Sequence, residues 1–292
     1  MPPTRPLRIG FKSTQLSHTY DDILPLWLEA DQLGFDTGWL FDHFAGIGHM
    51  PIETECPEGW TLLTALLART ERIRGGLMVT GNTHRHPALL AKIAATVDQV
   101  SAGRLEFGLG AGWSVPEHEM YGWDLPPVPE RIRWFNEACE AIKSLWTNEK
   151  TTFEGKRYTL RDATCNPKPI QKPYPHFVIG ASGEQLTTRA AVRHADEWNW
   201  VGGPLDTYKT KVEAVAHHCS DLDRDPASLE RSVQWRLPEG DIKPAELAAE
   251  VKSFTDVGVD HVIFNLTMPY KVEQVRWIWS ELVPAVRDAV GR

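Results

Sequence analysis

Proton chemistry is the first possibility that the residue types raise. In "FDHF", residues 41–44, Asp42 and His43 end a short hydrophobic run, and a histidine at a strand end can donate or accept a proton near neutral pH. A loop-start histidine satisfied by backbone partners has the same signature. In "MVTGNTHRHP", residues 78–87, His84 and His86 have the H-x-H spacing of a metal pair, but a metal needs three or four converging ligands. His43, His49 and His261 show no ligand spacing of their own, and His86 stands directly before Pro87, where capping a helix is the simpler role. No metal site is expected.

Two glycine segments point to a larger ligand. "GRLEFGLGAGW", residues 103–113, sets Gly108, Gly110 and Gly112 as G-x-G-x-G, not the G-x-G-x-x-G of a dinucleotide fold, and Pro116 argues against a helix there. Glycines at such a strand end let a flat ring approach the backbone. "IGASGE", residues 179–184, does lead into a helix. Its N–H groups and the Ser182 hydroxyl make Gly180, Ala181, Ser182 and Gly183 an anion cradle, with a serine-capped glycine turn as the plainer alternative. Lys12, just past the first hydrophobic run, offers positive charge to an anionic substrate, with a solvated surface position as its other role. Trp113 and Trp198 stand near strand ends as candidates for an aromatic substrate pocket, with core packing as their other role.

The elements that position these groups alternate along the whole chain. Strand-like runs at 7–11, 38–41, 76–80, 105–109, 176–179, 197–201, 232–237 and 261–266 are separated by amphipathic stretches at 21–34, 60–70, 87–100, 130–146, 184–194, 205–222, 245–257 and 273–290. Over 292 residues this fits an α/β (β/α)8 TIM barrel, with a doubly wound open sheet as the alternative. A barrel builds its site at the carboxyl ends of the strands, where His43 and both glycine segments fall. The alternation breaks at "TTFEGKRYTL", residues 151–160, which reads as a β-hairpin around Gly155, and at the proline-rich "NPKPIQKPYP" that follows. A single domain over 1–292 is expected, with a hairpin and loop insertion near 147–175.

Composition narrows the function classes. The net charge is −8 with no block of Lys and Arg, which argues against a nucleic-acid or anionic-membrane partner. The start of the chain lacks the apolar core of a signal peptide, and no stretch has membrane-spanning length. Cys56, Cys139, Cys165 and Cys219 form no C-x-x-C pair, so reduced thiols in a cytoplasmic protein are expected.

Assembled in order, "LGFDTGWLFDHF", "TERIRGGLMVTGNTHRHPALLAKIAATVDQVSAGRLEFGLGAGW", "FEGKRYTL" with "PKPIQKPYP", and "VIGASGEQLTTRAAVRHADEWN" resemble the bacterial luciferase-like superfamily of flavin and deazaflavin oxidoreductases. "TGNTHRHPALLAK" and "SAGRLEFGLGAGW" are most similar to the subgroup dependent on coenzyme F420. The resemblance runs from about residue 7 to 201 and thins toward the C-terminus. It implies a TIM barrel with an insertion, a homodimer, and hydride transfer between the deazaflavin and a small-molecule substrate. An FMN-dependent monooxygenase of the same superfamily is the alternative. It places His43 on the deazaflavin or substrate side as a proton carrier, with Asp42 beside it. Met78, Val79 and Thr80 become a bulge under the ring, with a non-prolyl cis peptide at 78–79. Ala111 and Gly112 become cofactor contacts, and Gly180, Ala181, Ser182 and Gly183 the phosphate site.

Overall fold

The computed structural model describes residues 5–238, 240 and 242–291. Its strands are β1 (Arg8–Lys12), β2 (Thr37–Leu40), β3 (Arg74–Leu77), β4 (Thr80–Gly81), β5 (Leu105–Gly110), β6 (Thr151–Glu154), β7 (Thr159–Ala163), β8 (His176–Gly180), β9 (Glu197–Trp200), β10 (Glu230–Arg236) and β11 (His261–Asn265). Among the described residues the parallel strands close into an eight-stranded barrel. β1 pairs with β2 and β11, the neighbours continue through β10, β9, β8 and β5, and β5 returns to β3 and β4, which share one position. The helices are α1 (Tyr20–Leu33), α2 (Gly59–Leu67), α3 (Pro87–Val100), α4 (Val115–Tyr121), α5 (Val128–Thr147), α6 (Leu186–His194), α7 (Leu205–Asp221), α8 (Pro244–Thr255), α9 (Val272–Trp277) and α10 (Val283–Val290). None is long and apolar enough to cross a membrane. The β6–β7 hairpin pairs outside the barrel sheet.

Strand alternation divides the apolar residues into two cores. Ile9, Phe11, Phe107, Phe177, Val262 and Phe264 join the helices in the main core, while Trp39, Met78, Val178 and Ile263 form a separate cluster. That second cluster fills the lumen as one of the layers by which such barrels pack their interior.

Below it, at the amino end, the lumen is ionic. Arg8 donates to Glu106 at 2.7 Å, Glu230 at 3.1 Å and Glu197 at 3.2 Å, and Arg74 also bonds Glu106. Burial pushes the Glu106 carboxyl up, but Arg8, His176 and Arg74 outweigh it and hold it down to about 2. Burial also opposes charging His176, yet Glu106 and Glu197 lift it to about 9. His261 bridges this layer to the girdle above, from Glu197 at 3.1 Å to Thr37 at 2.8 Å, and the Trp39 indole N–H donates to that threonine.

Three elements differ from the sequence reading. The third strand is two pieces, β3 and β4, interrupted by the cis peptide Met78–Val79. The loop around Pro116 holds the short helix α4, because proline in a first turn forfeits an N–H that has no intrahelical partner there. The C-terminal helix is divided by a π turn at Ile278–Leu282 just before Pro284, whose ring cannot donate within a regular helix.

Candidate active site

The carboxyl ends of the strands surround an open cavity of about 1080 Å³. Asp42, His43, Met78, Val79 and Thr80 line one side of it. Ala111, Gly112 and Trp113 follow at the end of β5, and Gly180, Ala181, Ser182 and Gly183 at the end of β8. Lys12 lines it from β1. Trp198 is not among these residues. It is fully buried, faces away from the lumen, and stacks on Tyr208 at 5.9 Å. The substrate-pocket role expected of it is therefore corrected: its indole N–H donates to the Ala181 carbonyl at 2.9 Å and steadies the glycine loop from behind.

His43 is held by a residue that sequence reasoning missed. Its Nδ1 lies 2.9 Å from Glu117 Oε2, while the other carboxylate oxygen accepts the Phe44 N–H at 2.6 Å. Glu117 comes from α4, the helix not foreseen in the loop, and is fully buried. Burial pushes its carboxyl up, but the His43 and Phe44 hydrogen bonds and the nearby His84 keep it below the usual carboxylate range. An ionised carboxylate accepts only, so Nδ1 carries the proton and the Nε2 lone pair is the free end of the ring. The Phe41 and Trp113 rings flank the imidazole edge-on, at 5.1 and 5.4 Å. A capping box could have signalled α4, but Ser114 makes no side-chain cap bond.

Asp42 acts differently from its neighbour. Both its oxygens are taken, Oδ1 by Arg85 at 3.0 Å and Oδ2 by Arg85 and Thr80, each at 2.6 Å. Trp60 in turn donates to the Thr80 hydroxyl. Burial pushes the Asp42 carboxyl up, and His84 and Arg85 bring it below the usual range. This network ties the end of β2 to β4.

The opening glycines serve the bulge that β3 and β4 frame. A Cβ on Gly108 would stand 1.9 Å from the Leu77 carbonyl oxygen, and one on Gly110 would stand 2.6 Å from Val79 Cγ2. Their bare backbone lets the Met78–Val79 segment press against β5, with Val79 as the surface it presents to the cavity. The Met78 carbonyl accepts from Lys12 Nζ at 3.2 Å. His84 lines the cavity 3.6 Å from Asp42 Oδ2, whereas His86 caps α3, its Nδ1 accepting from the Ala88 N–H. Among the described residues, trios spaced for a metal occur only in the ionic layer: Glu106, His176 and Glu197, and Glu197, Glu230 and His261. Arg8 already supplies a cation to all three of those glutamates.

The loop at the end of β8 exposes Ser182, Gly183, Glu184 and Gln185 ahead of α6. The Gly183 N–H is partly occupied by the Thr187 hydroxyl at 3.1 Å. Ser182 and the following exposed amides are the anion donors this segment offers.

The family model described as luciferase-like monooxygenase matches residues 6–261. A protein of Nakamurella multipartita named F420-dependent glucose-6-phosphate dehydrogenase is 35% identical, the match covering 98% of each chain. One of Kineococcus radiotolerans with the same name is 29% identical over 98% of this chain and 87% of that protein. Among solved structures, an F420-dependent secondary alcohol dehydrogenase in complex with an F420-acetone adduct superposes with a TM-score of 0.85 at 21% identity, covering 97% of this chain and all of that one. The monooxygenase RslO1 of Streptomyces bottropensis superposes at 0.79 with 19% identity, covering 95% and 99%. At those identities the two structures bear on the fold.

Proposed function

This chain belongs to the luciferase-like monooxygenase family, and on that premise we propose that it is an F420-dependent oxidoreductase moving a hydride between the deazaflavin and a small organic substrate. The reading rests on one observation above all: His43 presents a free Nε2 to the cavity beside the Val79 bulge, with Nδ1 fixed by a buried glutamate. The relatives named for F420-dependent dehydrogenation support it.

The cavity fits such a group. Its volume of about 1080 Å³ is ample for a tricyclic ring together with a small substrate. Val79, backed closely by Gly110 and Gly180, offers a firm apolar shelf for a flat ring. Residues 111–112 border it, and Gly180, Ala181, Ser182 and Gly183 with the start of α6 receive a phosphate. When bound, the deazaflavin supplies a ring carbon that accepts or gives a hydride. His43 takes the proton that a hydroxyl loses as its carbon is oxidised, or returns it in the reverse direction. Glu117 stabilises the imidazolium formed in that step. Trp113 and Phe41 restrict water around the imidazole.

Titrating the purified protein with F420 and separately with FMN, read by coenzyme fluorescence, tests the reading. Saturable F420 binding is expected; tight FMN binding with no response to F420 would reverse it in favour of flavin monooxygenation.

A further inference from the structure

Strand register sets three polar side chains on one rung of the cavity wall. Lys12 on β1 is paired with Asn265 on β11, and Asn265 with Arg236 on β10. All three line the cavity. Neighbouring strands lie about 4.8 Å apart, so the two cations start from backbones roughly 10 Å apart. An ammonium has three N–H donors, and Lys12 uses two, on the Met78 carbonyl at 3.2 Å and Gln234 Oε1 at 2.9 Å. The Arg236 side chain, exposed at the end of β10, has no hydrogen bond or ion pair among the described residues. The Asn265 amide makes no side-chain hydrogen bond among the described residues: its Nδ2 is a donor available to an oxyanion, and Oδ1, buried without a partner, is an acceptor for a hydroxyl of the same molecule.

Among the described residues neither cation forms an ion pair with a carboxylate, although Arg236 also borders a smaller cavity that Glu250 lines. Asp42 is the one acidic residue lining the cavity among the described residues, and Arg85 and Thr80 occupy both its oxygens. Burial, together with Arg236, pushes the Lys12 ammonium down to about 8, as happens to a sunken cation beside a second one with no counter-charge. In a chain of net charge −8 this concentration of unpaired positive charge is local. β1 also adjoins β2, at whose end His43 stands, so one small molecule can span the rung and the imidazole.

We propose that Lys12, Asn265 and Arg236 form an oxyanion subsite, and that the substrate is a small organic anion held there through a carboxylate or phosphate while its reacting carbon lies near His43. This takes the cavity to be the reaction site argued above. The same oxyanion chemistry has a second source in the acidic tail of the coenzyme. The rung lies on β1, β11 and β10, whereas the phosphate cradle follows β8, with β9 between them, which assigns the rung to substrate.

Calorimetric titration with inorganic phosphate tests the assignment in the coenzyme-free protein and in protein loaded with F420 or with a deazaflavin lacking the tail. Phosphate should bind in all three states. Arg236→Gln and Lys12→Met should each weaken it by about tenfold or more, the loss of one charge-assisted contact. Arg276→Gln, which removes an exposed cation paired to Glu29 on the outer surface, should leave it unchanged. The Arg236 side chain makes no hydrogen bond or ion pair among the described residues, so its variant stays interpretable if Lys12→Met does not fold. Equal phosphate affinity in Arg236→Gln and the parent overturns the subsite. Phosphate binding that Arg236→Gln and Lys12→Met weaken is the binding at the rung, as distinct from any at the 180–183 loop; loss of that fraction on loading with F420, but not with the tail-free deazaflavin, overturns the substrate assignment and gives the rung to the coenzyme. The coenzyme-free titration reads the subsite even if F420 does not bind, so the two readings fail separately.

Discussion

The two ends of the barrel lumen spend charged residues in opposite ways. At the amino end, three glutamates, two arginines and two histidines face one another in ion pairs and hydrogen bonds, with Glu106 Oε2 left without a hydrogen bond. At the carboxyl end, Lys12 and Arg236 have no acid among the described residues, and His43 has one nitrogen fixed and the other open. Between them lies the girdle of Trp39, Met78, Val178 and Ile263. Charge that is internally balanced fixes a structure; charge left unbalanced is available to a ligand. The same residue types therefore mean different things at the two ends, and only their partners tell which.

Breaking the open end should cost turnover. His43→Ala is expected to lower kcat with the natural substrate about 10²–10⁴-fold, the usual worth of a positioned acid–base group. Glu117→Gln should lower it less and shift the pH profile of kcat/KM, while coenzyme affinity changes little in either. Unimpaired turnover in His43→Ala would remove the proton-carrying role. Breaking the closed end should cost stability instead. Glu197→Gln strips the shared partner of Arg8, His176 and His261, and about 3–5 kcal/mol of unfolding free energy should be lost in denaturant titration, with activity per folded molecule retained. A variant as stable as the parent would show that the layer is not a balanced unit.

The smallest effect sharpens the contrast through its sign. His176 holds its proton more tightly in the fold, at about 9 against a reference of 6.5. Its contribution is complete below pH 6.5 and is lost as pH rises through 9. Lys12 is shifted the other way, to about 8 from 10.5. Between those values the unfolded chain binds more protons, so stability recovers with rising pH. Denaturation midpoints measured across pH 6–11 should lose their fall in His176→Gln and their late rise in Lys12→Met. Parallel curves for both variants and the parent would refute the opposition.

Much of the frame was legible because a parallel barrel repeats one local pattern: apolar runs of strand length, each followed by a helical stretch. The positions of Asp42, His43 and the loop 180–183 followed from strand ends, and the cis peptide lies at Met78–Val79 as the family resemblance implied. Trp198 was misjudged because both faces of a barrel strand are buried, which erases the alternation that separates lumen from shell. Asn199, its neighbour, is the lumen-facing residue and lines the cavity. The ionic layer was missed because its members are scattered across the chain from Arg8 to His261. Its trace was nevertheless present: Arg8, Arg74, His176, Glu197, Glu230 and His261 each stand first in their strands. Glu117 had a fainter trace, the S-x-x-E spacing of Ser114 and Glu117 that marks a capping box, but Pro116 was read as a barrier rather than as a helix start.

That helix has a consequence for how the protein can diversify. Because α4, a seven-residue helix in the connection between β5 and α5, supplies the glutamate behind His43, the orientation of the reactive imidazole is set by a part outside the barrel wall. Substitutions or length changes there can retune reactivity while leaving the strands, the girdle and the ionic layer untouched. Sequence divergence between residues 114 and 122 is thus where new chemistry on this scaffold would be written.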